Sequence, residues 1–311
     1  MANATDFVTG LISLTRPLEW SKTLGNMVIA YFLAAYFLQQ PFNANLINPL
    51  QFLIAFIAVG PLLWGGLYTL NDWTDRNNDR LHPVKRLRAI PSGRVSANTA
   101  LIFSILLILS AFFIAFFVLN SMIFLICLIA MLINQILYTI EPFHFKSRKV
   151  LDLISGSIVN PFFRFFAGWV LLIPYFNAPL LMLLFVIGFQ FAGYLLYRLS
   201  TKALETKIAF KSSGVMFDEN FLKKLAHGVG VLSAVSFIAM TLIPIFAPSL
   251  SFFGVLPFNF IILILLSLFL TPLYFNAVVD PQRMDMKKMH TILYIHYTLF
   301  VIGYVLLFLF F

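Results

Sequence analysis

Charge is what this 311-residue chain has least of. Only 11% of its residues are Asp, Glu, Lys or Arg, while 61% are hydrophobic. No soluble core of this length hides so much apolar surface, so the bilayer is the expected solvent for most side chains. Acid is scarcer than base, 12 residues against 21, for a formal net charge of +9. In a soluble chain that excess would point to nucleic acid. In a membrane chain it reports orientation and attraction to anionic headgroups or substrates, and no nucleic-acid partner is expected. Cys127 is the single cysteine and lies inside an apolar run, which excludes a disulfide framework and a thiolate metal centre. The first fifteen residues hold no basic cluster ahead of an apolar stretch. No cleavable signal peptide is therefore expected, and the first span would itself serve as the targeting signal. With no convincing internal repeat and no low-complexity linker, one polytopic domain over 1–311 is the simplest organisation.

What is present is a series of runs long enough to cross a bilayer, each needing about 20 mainly apolar residues. Nine are expected, at roughly 20–39, 47–70, 97–118, 121–140, 151–174, 179–199, 225–247, 256–278 and 291–311. Their connectors alternate. Those near 40–46, 119–121, 175–178 and 248–255 contain no Lys or Arg. The others carry Arg76, Arg80, Lys85, Arg86, Arg88 and Arg94, then Lys146, Arg148 and Lys149, then Lys202, Lys207, Lys211, Lys223 and Lys224, then Arg283, Lys287 and Lys288. Basic loops stay on the cytoplasmic side, so the N-terminus is expected inside and the C-terminus outside. Gly60, Pro61, Gly65 and Gly66 interrupt span two, and Pro161, Pro244 and Pro272 interrupt spans five, seven and eight. Such breaks bend helices, and bent helices can splay around an internal cavity.

The scarce acid is concentrated. "NDWTDRNNDR" begins at Asn71 and places Asp72, Asp75 and Asp79 at i, i+3 and i+7, one face of a helix. Three carboxylates that close repel one another unless a cation sits among them, and their oxygen chemistry suits Mg2+ or a similar hard ion. Topology alone does not call for such a stripe, since acids contribute little to orientation. The bases that follow, among them His82, Lys85, Arg86, Arg88 and Arg94, can hold diphosphate oxygens and neutralise a departing anion. Arg164 lies about 12 residues, or ~18 Å, inside span five. An arginine at that depth costs several kcal/mol unless paired or hydrated, which marks it for the interior.

The stretch "NDWTDRNNDR" resembles the first aspartate-rich motif, NDxxDxxxD, of the UbiA-type intramembrane prenyltransferases. "HPVKRLRAIPSGRVS" is similar to its continuation, "TRPLEWSK" to the family's opening Arg-Pro, and "YTIEPFHFKSRKVLDLISG" with "FRFFAGW" to its span four to span five region. The resemblance runs over roughly residues 15–225 and implies an all-α integral membrane protein with nine transmembrane helices around a central cavity. It implies Mg-dependent transfer of a polyprenyl group from a prenyl diphosphate to a membrane-soluble lipid, isoprenoid or aromatic acceptor. It further implies cytoplasmic active-site loops at about 71–96 and 200–224. Asn71, Asp72, Asp75 and Asp79 become the metal–diphosphate site. Lys85, Arg86 and Arg88 become diphosphate contacts, and Tyr138, Lys146 and Asp152 further substrate contacts. Aromatic and apolar walls would shelter the reactive chain.

One part of the pattern departs. After span six the family carries a second aspartate-rich motif, whereas this chain reads "YLLYRLSTKALETK". Tyr194, Arg198, Lys202 and Glu205 stand there instead, the last three at i, i+4 and i+7. Either Glu205 completes a metal site with fewer carboxylates, or positive charge replaces the second metal. A basic second loop resembles the branch that moves phosphoribose from phosphoribosyl pyrophosphate to a polyprenyl phosphate, which is the alternative. A transporter also uses broken helices, but its sites sit near the bilayer midplane between repeats.

Overall fold

Hydrophobic runs bounded by capping residues become helices, and no strand interrupts them among the described residues. The computed structural model describes residues 3–207, 213–269 and 286–310. A short amphipathic α1 (Ala4–Leu14) precedes α2 (Trp20–Leu38). Then come α3 (Pro49–Leu81), α4 (Ala97–Val118), α5 (Met122–Thr139) and α6 (Lys149–Trp169). The remainder is α7 (Leu180–Lys207), α8 (Ser213–Met216), α9 (Glu219–Phe246), α10 (Ile262–Phe269) and α11 (Met286–Phe310). Side-chain caps set several starts. Asn48 accepts from Gln51 N at 3.0 Å, Ser96 from Thr99 N at 3.1 Å and Asp218 from Phe221 N at 3.1 Å. Each satisfies a backbone donor that a helix's first turn leaves free.

Seven of these helices are long and apolar enough to cross a membrane. The first expected span is present as the 19-residue α2; its Lys22 and Asn26 dilute the apolar run. The eighth is described only as α10, and Pro272, Asp280, Arg283 and Asp285 lie outside the described residues. The expected breaks take a specific form. Pro61 falls within a π-helical turn, Ala58–Trp64, and Pro161 follows another, Ser155–Val159. A proline removes one i→i−4 donor, and a wider turn lets the helix continue without it. Pro244 is carried inside α9.

The chain divides into two compact units. One comprises Met1–Met27, Asn48–His144 and Phe163–Pro174. There α3 meets α4 at Gly66, where a Cβ would come within 2.9 Å of the Ser104 carbonyl oxygen, and Ser104 Oγ donates to Gly66 O at 2.7 Å. Leu14, Ala89, Ile90, Val95 and Ala100 form a small core beside the acidic end of α3. The second unit comprises Val28–Ile47, Phe145–Phe162 and Tyr175–Phe311. Its α7 and α9 pack along their lengths, with Ser233 Oγ donating to the Phe185 carbonyl at 2.8 Å. Phe32, Phe42 and Phe260 close around Phe308.

Candidate functional site

α3 does not stop where its apolar run stops. It continues to Leu81, so the acidic motif occupies helix rather than loop. Helical register then stacks Trp64, Tyr68, Asn71 with Asp72, Asp75 and Asp79 on one side of α3, at steps of three or four residues. The aromatic pair marks one end of this stripe and the carboxylates the other.

Asp72 and Asp79 are buried, each 3% exposed, and Asp75 is half-buried. Two arginines come to them. Arg88 spans the stripe, donating through Nη1 to Asp72 Oδ1 at 3.0 Å and to Asp79 Oδ2 at 2.8 Å. Arg16 donates through Nη2 to the same Asp72 oxygen. Arg16 also lies over the Tyr68 ring, 5.1 Å from its centroid. Its backbone is left-handed (φ 49°, ψ 66°), a conformation that costs an L-residue about 1–2 kcal/mol and that pairing with Asp72 offsets. Burial would lower the Arg16 pKa, but Asp72, Tyr68 and Glu19 outweigh it and hold the guanidinium above the ordinary arginine value. Arg16 is thus a charged clamp. Glu19 itself pairs with Lys22 at 2.7 Å.

Asn71 Nδ2 donates to Asp75 Oδ2 at 3.3 Å, and Asn71 Oδ1 accepts from Thr139 Oγ1 at 2.8 Å. Gln135 donates on to Thr139 at 3.3 Å, so α5 orients the amide from behind. Arg164, 5% exposed on α6, stacks over Trp64 with Cζ 3.8 Å from the ring centroid and donates to Tyr68 Oη at 3.3 Å. Lys85 is half-buried and Arg86 exposed on the turn that follows α3, and Tyr138 is half-buried on α5. Lys85 acts electrostatically on Asp79.

A second constellation forms within the other unit. Asp152, with no exposed surface, accepts from Tyr194 Oη at 2.8 Å, Arg198 Nη2 at 2.8 Å and the Ser213 amide at 3.2 Å. Arg198 also donates through Nε to Tyr194 Oη at 2.9 Å and reaches Glu205 at 3.5 Å. Lys202 Nζ caps the Phe217 carbonyl at 2.8 Å. Lys146 is buried and Lys149 lies 4.4 Å from the Phe217 ring centroid. The Tyr194-Arg198-Glu205 spacing therefore resolves into one face of α7, with Asp152 of α6 as its principal counter-ion.

The residues that sequence reasoning did not assign are Arg16, Tyr68, Trp64 and Thr139. Arg16 stood in the quoted "TRPLEWSK", and the aromatic pair could have been found by extending the acidic register two turns back along α3. Thr139 carried no signal.

Among the described residues no three His, Cys, Asp or Glu side chains gather closely enough to hold a metal unaided. The α3 stripe nonetheless offers an all-oxygen donor set: three carboxylates and the Asn71 amide. Mg2+ is commonly bound through one or two carboxylates, with water and phosphate oxygens filling its octahedron. The stripe fits that mode. The Asp152 cluster does not, since Asp152 has no exposed surface and both of its oxygens already accept from Tyr194, Arg198 and the Ser213 amide.

Three comparisons bear on this arrangement. A curated relative, the protoheme IX farnesyltransferase of Caldivirga maquilingensis, is 33% identical over 129 residues, which cover 42% of this chain. The match spans only 44% of that relative's length. A solved UbiA homologue from Archaeoglobus fulgidus, bound to GPP and Mg2+, has the same fold, with a TM-score of 0.73 at 16% identity over 95% of this chain and 97% of its own. A structure of digeranylgeranylglyceryl phosphate synthase aligns with a TM-score of 0.62 at 18% identity, covering 96% and 99% of the two chains. The sequence profile of the UbiA prenyltransferase family matches residues 27–296, and the chain, an all-helical protein of the UbiA fold, belongs to that family.

Proposed function

We propose that this protein transfers a polyprenyl group from a prenyl diphosphate to a membrane-soluble acceptor, with Mg2+ held by Asp72, Asp75, Asp79 and Asn71. The observation that carries the reading is the arginine-bridged carboxylate stripe on α3. Family membership supports it, as do the farnesyltransferase relative and the neighbour solved with GPP and Mg2+.

The stripe is arranged for an exchange of partners. Without ligand, Arg16 and Arg88 neutralise Asp72 and Asp79. Bound Mg2+ supplies charge stabilisation to the diphosphate as its bond to the prenyl carbon breaks. With Mg2+ held there, the carboxylates would have a second counter-ion, and Arg16 and Arg88 would be free to turn to phosphate oxygens, where bidentate geometry suits them. No buried charge is stranded at either stage, which matters because a stranded one costs several kcal/mol. Asn71, fixed from Thr139, orients the Asp75 carboxylate. Lys85 and exposed Arg86 meet the diphosphate from the side of the following turn. Tyr138, Lys146, Asp152, Tyr194, Arg198, Lys202 and Glu205 complete the proposed substrate-binding set, the last four through the α7 face. The N-terminus and the acidic end of α3 face the cytoplasm in this reading, consistent with the basic connectors.

The test offers purified protein labelled prenyl diphosphates, or labelled phosphoribosyl pyrophosphate, with membrane lipid extract and with or without Mg2+. Label is expected in lipid from the prenyl donor and only with Mg2+. Asp72→Ala and Asp75→Ala should each lower turnover by roughly 10²-fold or more, the scale of losing one transition-state charge stabiliser, with the helical spectrum intact. Incorporation from the phosphoribosyl donor alone would overturn the reading.

A further inference from the structure

Arg164 and Trp64 do not share the self-sufficiency of the carboxylate stripe. Arg164 is 5% exposed, yet it forms no ion pair with any carboxylate among the described residues. Its Nε is buried with no hydrogen-bond partner. Trp64, 2% exposed and stacked against the guanidinium, has the same defect: its Nε1 is buried and unpaired. Two orphan donors thus lie in one stacked pair, beside a cation without a counter-charge. The arrangement lacks an acceptor, and the acceptor it lacks is negative. Orphan buried donors are rare in finished structures and point to a missing partner. Tyr68 Oη accepts one hydrogen bond from Arg164, but a phenol is neutral and leaves the charge uncompensated.

Position separates this seat from the metal stripe. Trp64 precedes Asp72 by eight residues, ~12 Å along the helix axis, and lies toward the apolar end of α3 rather than its acidic end. Arg16, which also lies over Tyr68, is already committed to Asp72. We propose that Trp64 and Arg164 hold an anionic oxygen group, a phosphate or carboxylate, carried by the acceptor substrate. The inference rests on the prenyl-transfer reading and narrows it, because it selects amphiphilic acceptors with a charged head over neutral isoprenoids. The stack holds the guanidinium against the indole ring, so an acceptor met there would cost Arg164 little further side-chain freedom.

The same chemistry could be met by the donor's diphosphate, and the experiment separates the two sources. Detergent-purified protein is titrated calorimetrically with lysophosphatidic acid, with a monoacylglycerol of the same chain, and with inorganic pyrophosphate plus Mg2+. The unaltered protein is expected to bind the lipid phosphate at least about tenfold more tightly than the neutral lipid. Trp64→Phe, which keeps the stacking ring and removes only the N–H, should cost several-fold in lipid phosphate affinity. Arg164→Gln should cost about tenfold or more, the scale of a hydrogen bond to a charged group. Neither should change Mg2+–pyrophosphate affinity by more than about twofold. If lipid phosphate and neutral lipid bind alike, or if Trp64→Phe leaves lipid phosphate affinity unchanged, the proposal fails. If either variant instead weakens Mg2+–pyrophosphate, the seat belongs to the donor and the acceptor assignment is overturned. Asp72→Asn is the control for the underlying reading: it should lose Mg2+–pyrophosphate and keep lipid phosphate, and retention of both would sink the metal stripe without touching this seat.

Discussion

Replacing Asp152 by Asn isolates the value of a buried ion pair that no local sequence pattern announces. The side chain is fully buried, and its two oxygens accept from Tyr194 Oη, Arg198 Nη2 and the Ser213 amide. The amide keeps the shape but removes the charge, and its NH2 faces either the Ser213 N–H or the Arg198–Tyr194 donors. One donor is then left unsatisfied, at about 1–3 kcal/mol. Arg198, 8% exposed, also loses its close counter-ion, with Glu205 the more distant carboxylate at 3.5 Å. Stranding one partner of a buried pair costs about 3–5 kcal/mol; with the amide still accepting one bond, about 3 kcal/mol is expected in total. At about 2 °C per kcal/mol for a chain of this size, the unfolding midpoint should fall by roughly 6 °C. The four tryptophans, at 20, 64, 73 and 169, all lie in the other unit. Helical circular dichroism, not tryptophan emission, is therefore the right observable. Arg198→Met should be similarly costly, and the double variant should recover part of the loss, because removing both charges strands neither. A midpoint change under about 2 °C for Asp152→Asn, or simple additivity of the two changes, would refute the pairing argument.

Two further substitutions follow from the same kind of close packing. Gly168→Ala would place a Cβ 2.2 Å from the Met27 carbonyl oxygen and 2.6 Å from its Cα; backbone must move, so a loss of about 1–3 kcal/mol is expected. Gly193→Ala, whose nearest neighbour is a Leu293 methyl at 3.7 Å, should be nearly silent in the same thermal melt. Arg88→Ala removes the bridge between Asp72 and Asp79 while Arg16 still neutralises Asp72. It should raise the KM for the diphosphate donor about tenfold or more, the worth of a charge-assisted contact, and leave the KM for the acceptor within about twofold. An equal rise in both would place Arg88 elsewhere than on the donor.

Helix positions and the acidic register were legible because both are local. Apolar runs of span length marked the helices, and an i, i+3, i+7 spacing put Asp72, Asp75 and Asp79 on one face wherever the helix ended. The apolar run of span two ends at Leu70, yet α3 continues to Leu81. Composition could not show this, because a polar helix end pairs its backbone as well as an apolar one does. Partner choice was the illegible part. Asp152 and Arg198 are 46 residues apart and Arg16 and Asp72 are 56 apart; side-chain chemistry says each needs a counter-ion but not which one. The same limit applies to Glu205, which the sequence offered as a ligand of a metal site with fewer carboxylates and which sits 3.5 Å from Arg198. Arg164 was marked for the interior by depth alone, and its stack on Trp64 depends on the register of two separate helices.

The replacement of the second acidic motif has a consequence for charge. An aspartate-rich face on α7 would need a cation to be stable, and a second metal would supply one. Here the positions carry Arg198, Lys202 and Glu205, and their charges are already accounted for within the fold. Arg198 is held by Asp152 and Tyr194, Glu205 lies against Arg198, and Lys202 is spent on a backbone carbonyl. In the proposed function this face therefore holds its guanidinium between Asp152 and Glu205 and offers no metal ligand. A fixed guanidinium costs no metal-binding equilibrium and tolerates low Mg2+, but it cannot coordinate two phosphate oxygens at about 2 Å as an ion does. Leaving-group stabilisation then rests on the α3 stripe, where Arg16 and Arg88 flank the carboxylates and can move with the substrate. That is why the arginines on Asp72, rather than Arg198 on α7, are the positions where loss of charge should weigh most on catalysis.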